Sequence, residues 1–148
     1  MFRLLECSSN GMRLFIGSLT FLLAGGLIAQ VAAQKDVVST KEIMTAMTIP
    51  ASNALFAAPE KPTDKDWGEL RRQALILSDS ATRLLAPGKV KPKSGNPADW
   101  NKAATSLRDA AQMALKAIDK KDADLLSGDV GGKILDSCAA CHEHYLPK

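Results

Sequence analysis

Aromatic residues are scarce in this chain, 5% of 148 residues with a single Tyr, and nowhere do β-branched residues alternate with polar ones over a strand's length. An all-β sandwich or barrel is therefore not expected. A dominant charge is lacking as well. Lys+Arg number 19 against Asp+Glu 16, a net charge of +3, and no face of clustered Lys/Arg supplies the footprint of a dedicated nucleic-acid binder, so no nucleic-acid partner is expected. At 46% hydrophobic, the chain is too apolar for a disordered protein. Cysteine is sparse at three residues, which rules out a disulfide scaffold as the source of stability. What remains is one domain's worth of chain rich in Ala, Leu, Lys and Asp, which points to helices.

The N-terminal segment has to be set aside before the fold is considered. Residues 14–29 (LFIGSLTFLLAGGLIA) form an uncharged apolar run behind Arg13, followed by Val31-Ala32-Ala33, small residues suited to a signal peptidase. The run is shorter than the roughly 20 apolar residues that span a bilayer and contains Gly25-Gly26, so a cleaved export signal fits better than an uncleaved anchor. Residues 1–33 are read as the signal peptide, with Met12 as an alternative start. Residues 34–148 form the exported domain, which is expected in the periplasm and not embedded in the membrane after cleavage. Cys7 leaves with the signal, so the mature chain has Cys138 and Cys141 only.

Four stretches of the mature chain carry helical periodicity. From Thr63, an N-cap with Asp66 three residues on, the apolar positions run Trp67, Leu70, Ala74, Leu77, Ala81 and Leu84 until Pro87-Gly88. From Asn96, with Pro97 at the favoured first helical position, they run Trp100, Ala104, Leu107, Ala111, Ala114 and Ile118, ending near Lys120-Lys121. Steps alternating three and four are the seam of helices packed at small angles, the geometry of an antiparallel bundle. An earlier helix from about Asp36 presents Val37, Met44, Met47, Ala51 and Leu55, with a kink or break expected at Pro50. A last helix over about 123–145 presents Leu126, Val130, Ile134, Cys138, Cys141 and Tyr145. Gly128, Gly131 and Gly132 cost it about 1 kcal/mol each relative to Ala. Close approach to a large planar ligand, or local unwinding, would account for them. The basic loop Lys89-Val90-Lys91-Pro92-Lys93 reads as solvated, with docking of an acidic partner protein as its alternative.

Cys138-Ala139-Ala140-Cys141-His142 is C-x-x-C-H, the attachment motif for c-type haem. On a helix the two cysteines are i and i+3 neighbours, so both thiols face one side and can bond the two vinyl groups along one porphyrin edge. His142 follows at once, aimed at the iron from the proximal side. Other chemistries share these residues. A thioredoxin-like pair would want the cysteines beside a βαβ unit. Zinc would need four ligands, which seven helical residues around His142 and His144 cannot close into a tetrahedron. A short strained disulfide is the remaining alternative. His144, two positions after His142, points to another side of the helix and is expected to be an exposed histidine. Met113 reads as core.

With the motif inside the final helix, four helical stretches before it and Met44 and Met47 three apart on the first, residues 36–146 resemble the class II c-type cytochromes, the cytochrome c′ group. The resemblance implies an all-α antiparallel four-helix bundle holding one covalently bound haem c in its core, with the first helix on the distal side. Members divide into low-spin proteins, in which a first-helix Met ligates the iron, and high-spin ones with an open sixth position. By the family pattern Met44 faces the iron and Met47 is its packing neighbour. The residues also allow Met47 to ligate, or both to fill core space. Lys41, beside Thr40 at the place of a propionate-binding Arg, is the candidate substitute for that contact. Leu146 stands where members tend to carry a basic residue. The segment Ile49-Pro50-Ala51-Ser52-Asn53 resembles the low-spin branch.

The function this implies is single-electron transport, with His142 and Met44 as the axial ligands and redox proteins as partners; pairing into a homodimer is left open. A five-coordinate protein binding NO or CO at an open distal site is the alternative. An enzyme such as a peroxidase is not expected, since it would want a distal general base, and His142 is taken as proximal while His144 points to another side of the helix and cannot reach the distal site.

Overall fold

Each helix begins where a side chain can take over the orphan N–H groups of its first turn. The computed structural model describes residues 38–86 and 96–145, and among them the chain is predominantly helical with no strand. The signal segment, Val37, the basic loop at 89–93 and Leu146 lie outside the described residues. Ser39 caps α1 (Thr40–Ile43) through a capping box with Glu42. Thr63 caps α3 (Asp64–Leu84) the same way with Asp66, as the sequence predicts. Asn96 caps α4 (Pro97–Asp119) by accepting from the Ala98 N–H at 3.0 Å. Asp122 caps α5 (Ala123–Leu125).

The interruption expected at Pro50 takes a different form from a kink or break. Backbone angles stay helical throughout, and α1 passes through a π-helical segment, Met44–Thr48, into α2 (Ile49–Phe56). Pro50 has no N–H and its ring would crowd the carbonyl of Ala46 in a regular α-helix. Widening the preceding turn to i→i+5 bonding, with the Ile49 N–H on the Met44 carbonyl, removes that conflict while keeping the chain helical. A second π-helical segment, Leu126–Val130, joins α5 to α6 (Gly131–Tyr145) and lies among the three glycines. A Cβ on Gly128 or Gly132 would meet nothing within 4 Å, and one on Gly131 only the Leu126 carbonyl at 3.7 Å. No described protein atom therefore demands glycine there, and Gly128 lies in the widened π-helical turn while Gly131 and Gly132 open α6.

The seams predicted for α3 and α4 are both buried: Trp67, Leu70, Ala74, Leu77, Ala81 and Leu84 on one, Trp100, Ala104, Leu107, Ala111, Ala114 and Ile118 on the other. Cross-helix bonds give their direction. Trp100 Nε1 donates to the Leu84 carbonyl at 2.8 Å at one end, while Arg71 pairs with Asp119 and Lys121 with Asp64 at the other, so the two helices run antiparallel. α6 returns along α4 in the same way, with Ser137 Oγ bonded to Ser106 Oγ at 3.0 Å and Tyr145 bonded to Asn96. α2 packs on α3 and touches α6. The buried polar side chains are all hydrogen-bonded: Ser80 Oγ donates to the Leu77 carbonyl at 2.8 Å, and no buried side-chain N or O of the described residues lacks a partner.

Candidate functional site

The C-x-x-C-H motif occupies the last turns of α6, and the helix divides its side chains between two environments. Ile134, Ser137 and Cys141 are buried against the neighbouring helices, with Ser137 Oγ also donating back to the Lys133 carbonyl at 2.7 Å. Leu135, Cys138 and His142, spaced three and four apart, share the adjoining flank. There Leu135 is 58% exposed, Cys138 half-buried and His142 exposed. This flank therefore brings an exposed apolar side chain, a half-buried thiol and an exposed imidazole side by side.

The two cysteines are not joined to each other. Burial raises the Cys138 thiol above its ordinary value. Burial, and then the neighbouring Cys138, push Cys141 from 9.0 up to about 11. A thiol-disulfide oxidoreductase needs the opposite, a thiolate stabilised near neutral pH by a helix N-terminus or a cation. These thiols lie toward a helix C-terminus and stay protonated at neutral pH, which does not favour thiol-disulfide exchange. Among the described residues no three His, Cys, Asp or Glu side chains are grouped to hold a metal ion, and the side chain of His144 lies outside them.

In the first helix the π-helical turn gives the two half-buried methionines different directions. With more than four residues per turn, i and i+4 come into line and i and i+3 diverge. Met44 thus shares a direction with Thr48, which is buried and bonded to the Ile43 carbonyl, and Met44 packs against the core. Met47 is half-buried. Lys41 is exposed one turn before Met44. Ile43, Thr48 and Ser52 are buried although the periodicity places none of them on the inner face, because the widened turn rotates the register between Ile43 and Ala51. No Cα of Met44–Thr48 comes within 8 Å of Gly131–Tyr145, whereas α2 does approach α6. The chain therefore keeps the Met44 segment and the motif helix apart at one level and together at the next.

The end of α6 is fastened by residues the sequence reading places only as core. The Tyr145 hydroxyl donates to the Asn96 carbonyl at 2.5 Å, and its ring meets Trp100 edge-on with centroids 5.1 Å apart at 80°. The available signal was a Tyr one turn beyond Cys141 and a Trp in the first turn of α4. Met113 is partly buried against the core, as expected. None of the described helices is long and apolar enough to cross a membrane. Compared with known families, curated proteins and solved structures, the chain matches none.

Proposed function

We propose that this protein is an exported c-type cytochrome that carries single electrons, folded as an antiparallel four-helix bundle around one covalently attached haem. One observation carries the reading. Cys138 and His142 of the C-x-x-C-H motif share a flank with the exposed Leu135, with Cys141 buried beside them, and the half-buried Met44 packs on the core in a segment that does not approach that helix. The residues fit the group. Cys138 and Cys141 would each add S–H across a vinyl double bond, the sulfur bonding one vinyl carbon and the hydrogen the other, with no oxidant consumed. His142 would give a ring nitrogen to the iron and Met44 its thioether sulfur, while Leu135 would be covered by the porphyrin face. Lys41 would take the propionate contact that the resemblance assigns to an Arg at the place of Thr40.

Bound there, haem supplies an Fe(III)/Fe(II) couple, and Met/His ligation raises its potential. The chain's own part is to keep both axial positions filled in both oxidation states, so that electron transfer demands little rearrangement. Partner redox proteins would meet the haem edge, and the basic residues of loop 89–93 would steer an acidic one with a rate that falls as salt rises. The apolar run before Val31-Ala32-Ala33, read as an export signal over residues 1–33, supports a periplasmic setting.

The test is the absorption spectrum of the purified mature protein in both oxidation states, with CO added to the reduced form. A low-spin reduced spectrum that CO leaves nearly unchanged at neutral pH supports Met44 ligation. Prompt and complete conversion by CO favours the open-site, gas-binding alternative.

A further inference from the structure

Tyr145 is the last residue of α6, and the last four carbonyls of any α-helix lack intrahelical partners, so the turn carrying Cys141 and His142 is one that ordinarily frays. Here it is tied down from outside. A helical side chain lies over the turn N-terminal to its own Cα, which places the Tyr145 ring over the turn of Cys141 and His142. From there its hydroxyl reaches the carbonyl of Asn96, the N-cap residue of α4, at 2.5 Å. The ring rests edge-on against Trp100, itself buried and bonded through Nε1 to the Leu84 carbonyl at 2.8 Å. Two aromatic side chains thus fasten together the end of α3, the start of α4 and the end of α6. Asn96 holds its own place through the capping bond to the Ala98 N–H.

We propose that Tyr145 is the positioning residue for His142: through Asn96 and Trp100 it fixes the last turn of α6, and with it the direction in which the imidazole is presented. This rests on His142 being the proximal ligand of a covalent haem. Tyr145 is not itself a ligand in this reading; it acts on the orientation of the ligand plane. The two contacts are separable. Tyr145→Phe removes the hydroxyl bond and keeps the ring on Trp100, whereas Tyr145→Ala removes both.

The experiment compares matured holoprotein of the parent, Y145F and Y145A by ferric EPR, by midpoint potential and by amide hydrogen exchange. A net hydrogen bond of about 1 kcal/mol corresponds to roughly fivefold faster opening, so exchange in residues 142–145 of Y145F quickens by about that factor while α3 and the middle of α4 keep the parent rate. The EPR g-values, which follow the axial ligand planes, shift and broaden in Y145F and more so in Y145A, and the potential moves with them. Parent-like g-values and potential in both variants overturn the positioning role, even if the proteins melt earlier. Faster exchange spread evenly over all helices overturns it too, since that marks a contact of general stability only. A parent without covalent haem overturns this inference together with the reading beneath it, whereas a coloured, unaffected Y145A overturns this inference alone.

Discussion

Cysteine reactivity separates a haem-attachment pair from an exchanging dithiol, and the structure sets its size. In the chain before maturation Cys141 is buried and its thiol pushed from 9.0 to about 11. Because the thiolate is the nucleophile, that change divides its population at neutral pH by about a hundred relative to an ordinary cysteine. Burial limits access in the same direction, so the slowing of alkylation is on the order of a hundredfold. The assay is iodoacetamide labelling of the non-matured chain, made without haem-attachment machinery, with each cysteine followed by peptide mass spectrometry from pH 7 to 11. Cys141 should label about a hundredfold more slowly than the same peptide unfolded in urea. Cys138, raised by burial, should lag in the same direction. The sign for stability follows from linkage. A folded-state value above the unfolded one gives stability that is complete below pH 9 and drains away as pH climbs toward 11, and a variant with Ala at both cysteines lacks that part of the loss. Labelling of Cys141 at the unfolded rate, or a midpoint near neutrality, would refute the reasoning and return the motif to thiol-disulfide chemistry.

Other perturbations reach the fold and the distal side. Leu77→Ala removes a fully buried side chain and should cost about 3 kcal/mol in denaturant titration, while Leu75→Ala, on a residue 51% exposed, should stay within about 0.5 kcal/mol; equal losses would mean that the buried seam of α3 is misassigned. Thr63→Ala should lower stability by about 1 kcal/mol through loss of the cap of α3. The Thr63 hydroxyl and backbone hold Asp66 below the usual carboxylate range, and Lys121 does the same for Asp64. That stability is present above the unfolded values and lost as pH falls through the depressed folded ones, so an acid titration of Thr63→Ala should show a shallower decline than the parent. Met44→Ala in the holoprotein should admit CO to the reduced iron at once, and Met47→Ala should not. The reverse pattern would assign ligation to Met47.

How much was legible in the sequence differs from one element to the next, for physical reasons. α3 and α4 could be read nearly residue by residue because each has its own cap, Thr63 with Asp66 and Asn96 with Pro97, and a regular 3.6-residue period that needs no tertiary knowledge. The first helix could not, because Pro50 forces the turn ahead of it into i→i+5 bonding and periodicity assumes a constant turn. Hence Ile43, Thr48 and Ser52 are buried unforeseen. The C-x-x-C-H motif was visible because it is defined by spacing alone. Tyr145 on Asn96 joins positions 49 apart, and the exposure of Leu135 depends on which flank the neighbouring helices leave uncovered. Neither is written in local pattern.

The central claim is that a haem is bonded to Cys138 and Cys141, and the mass of the exported chain tests it most directly. From a host able to mature such proteins, the intact mass should exceed that of residues 34–148 by one haem, and the red colour should stay with the polypeptide in acidified acetone. A colourless product at the bare polypeptide mass, or pigment that passes into the solvent, would contradict the account.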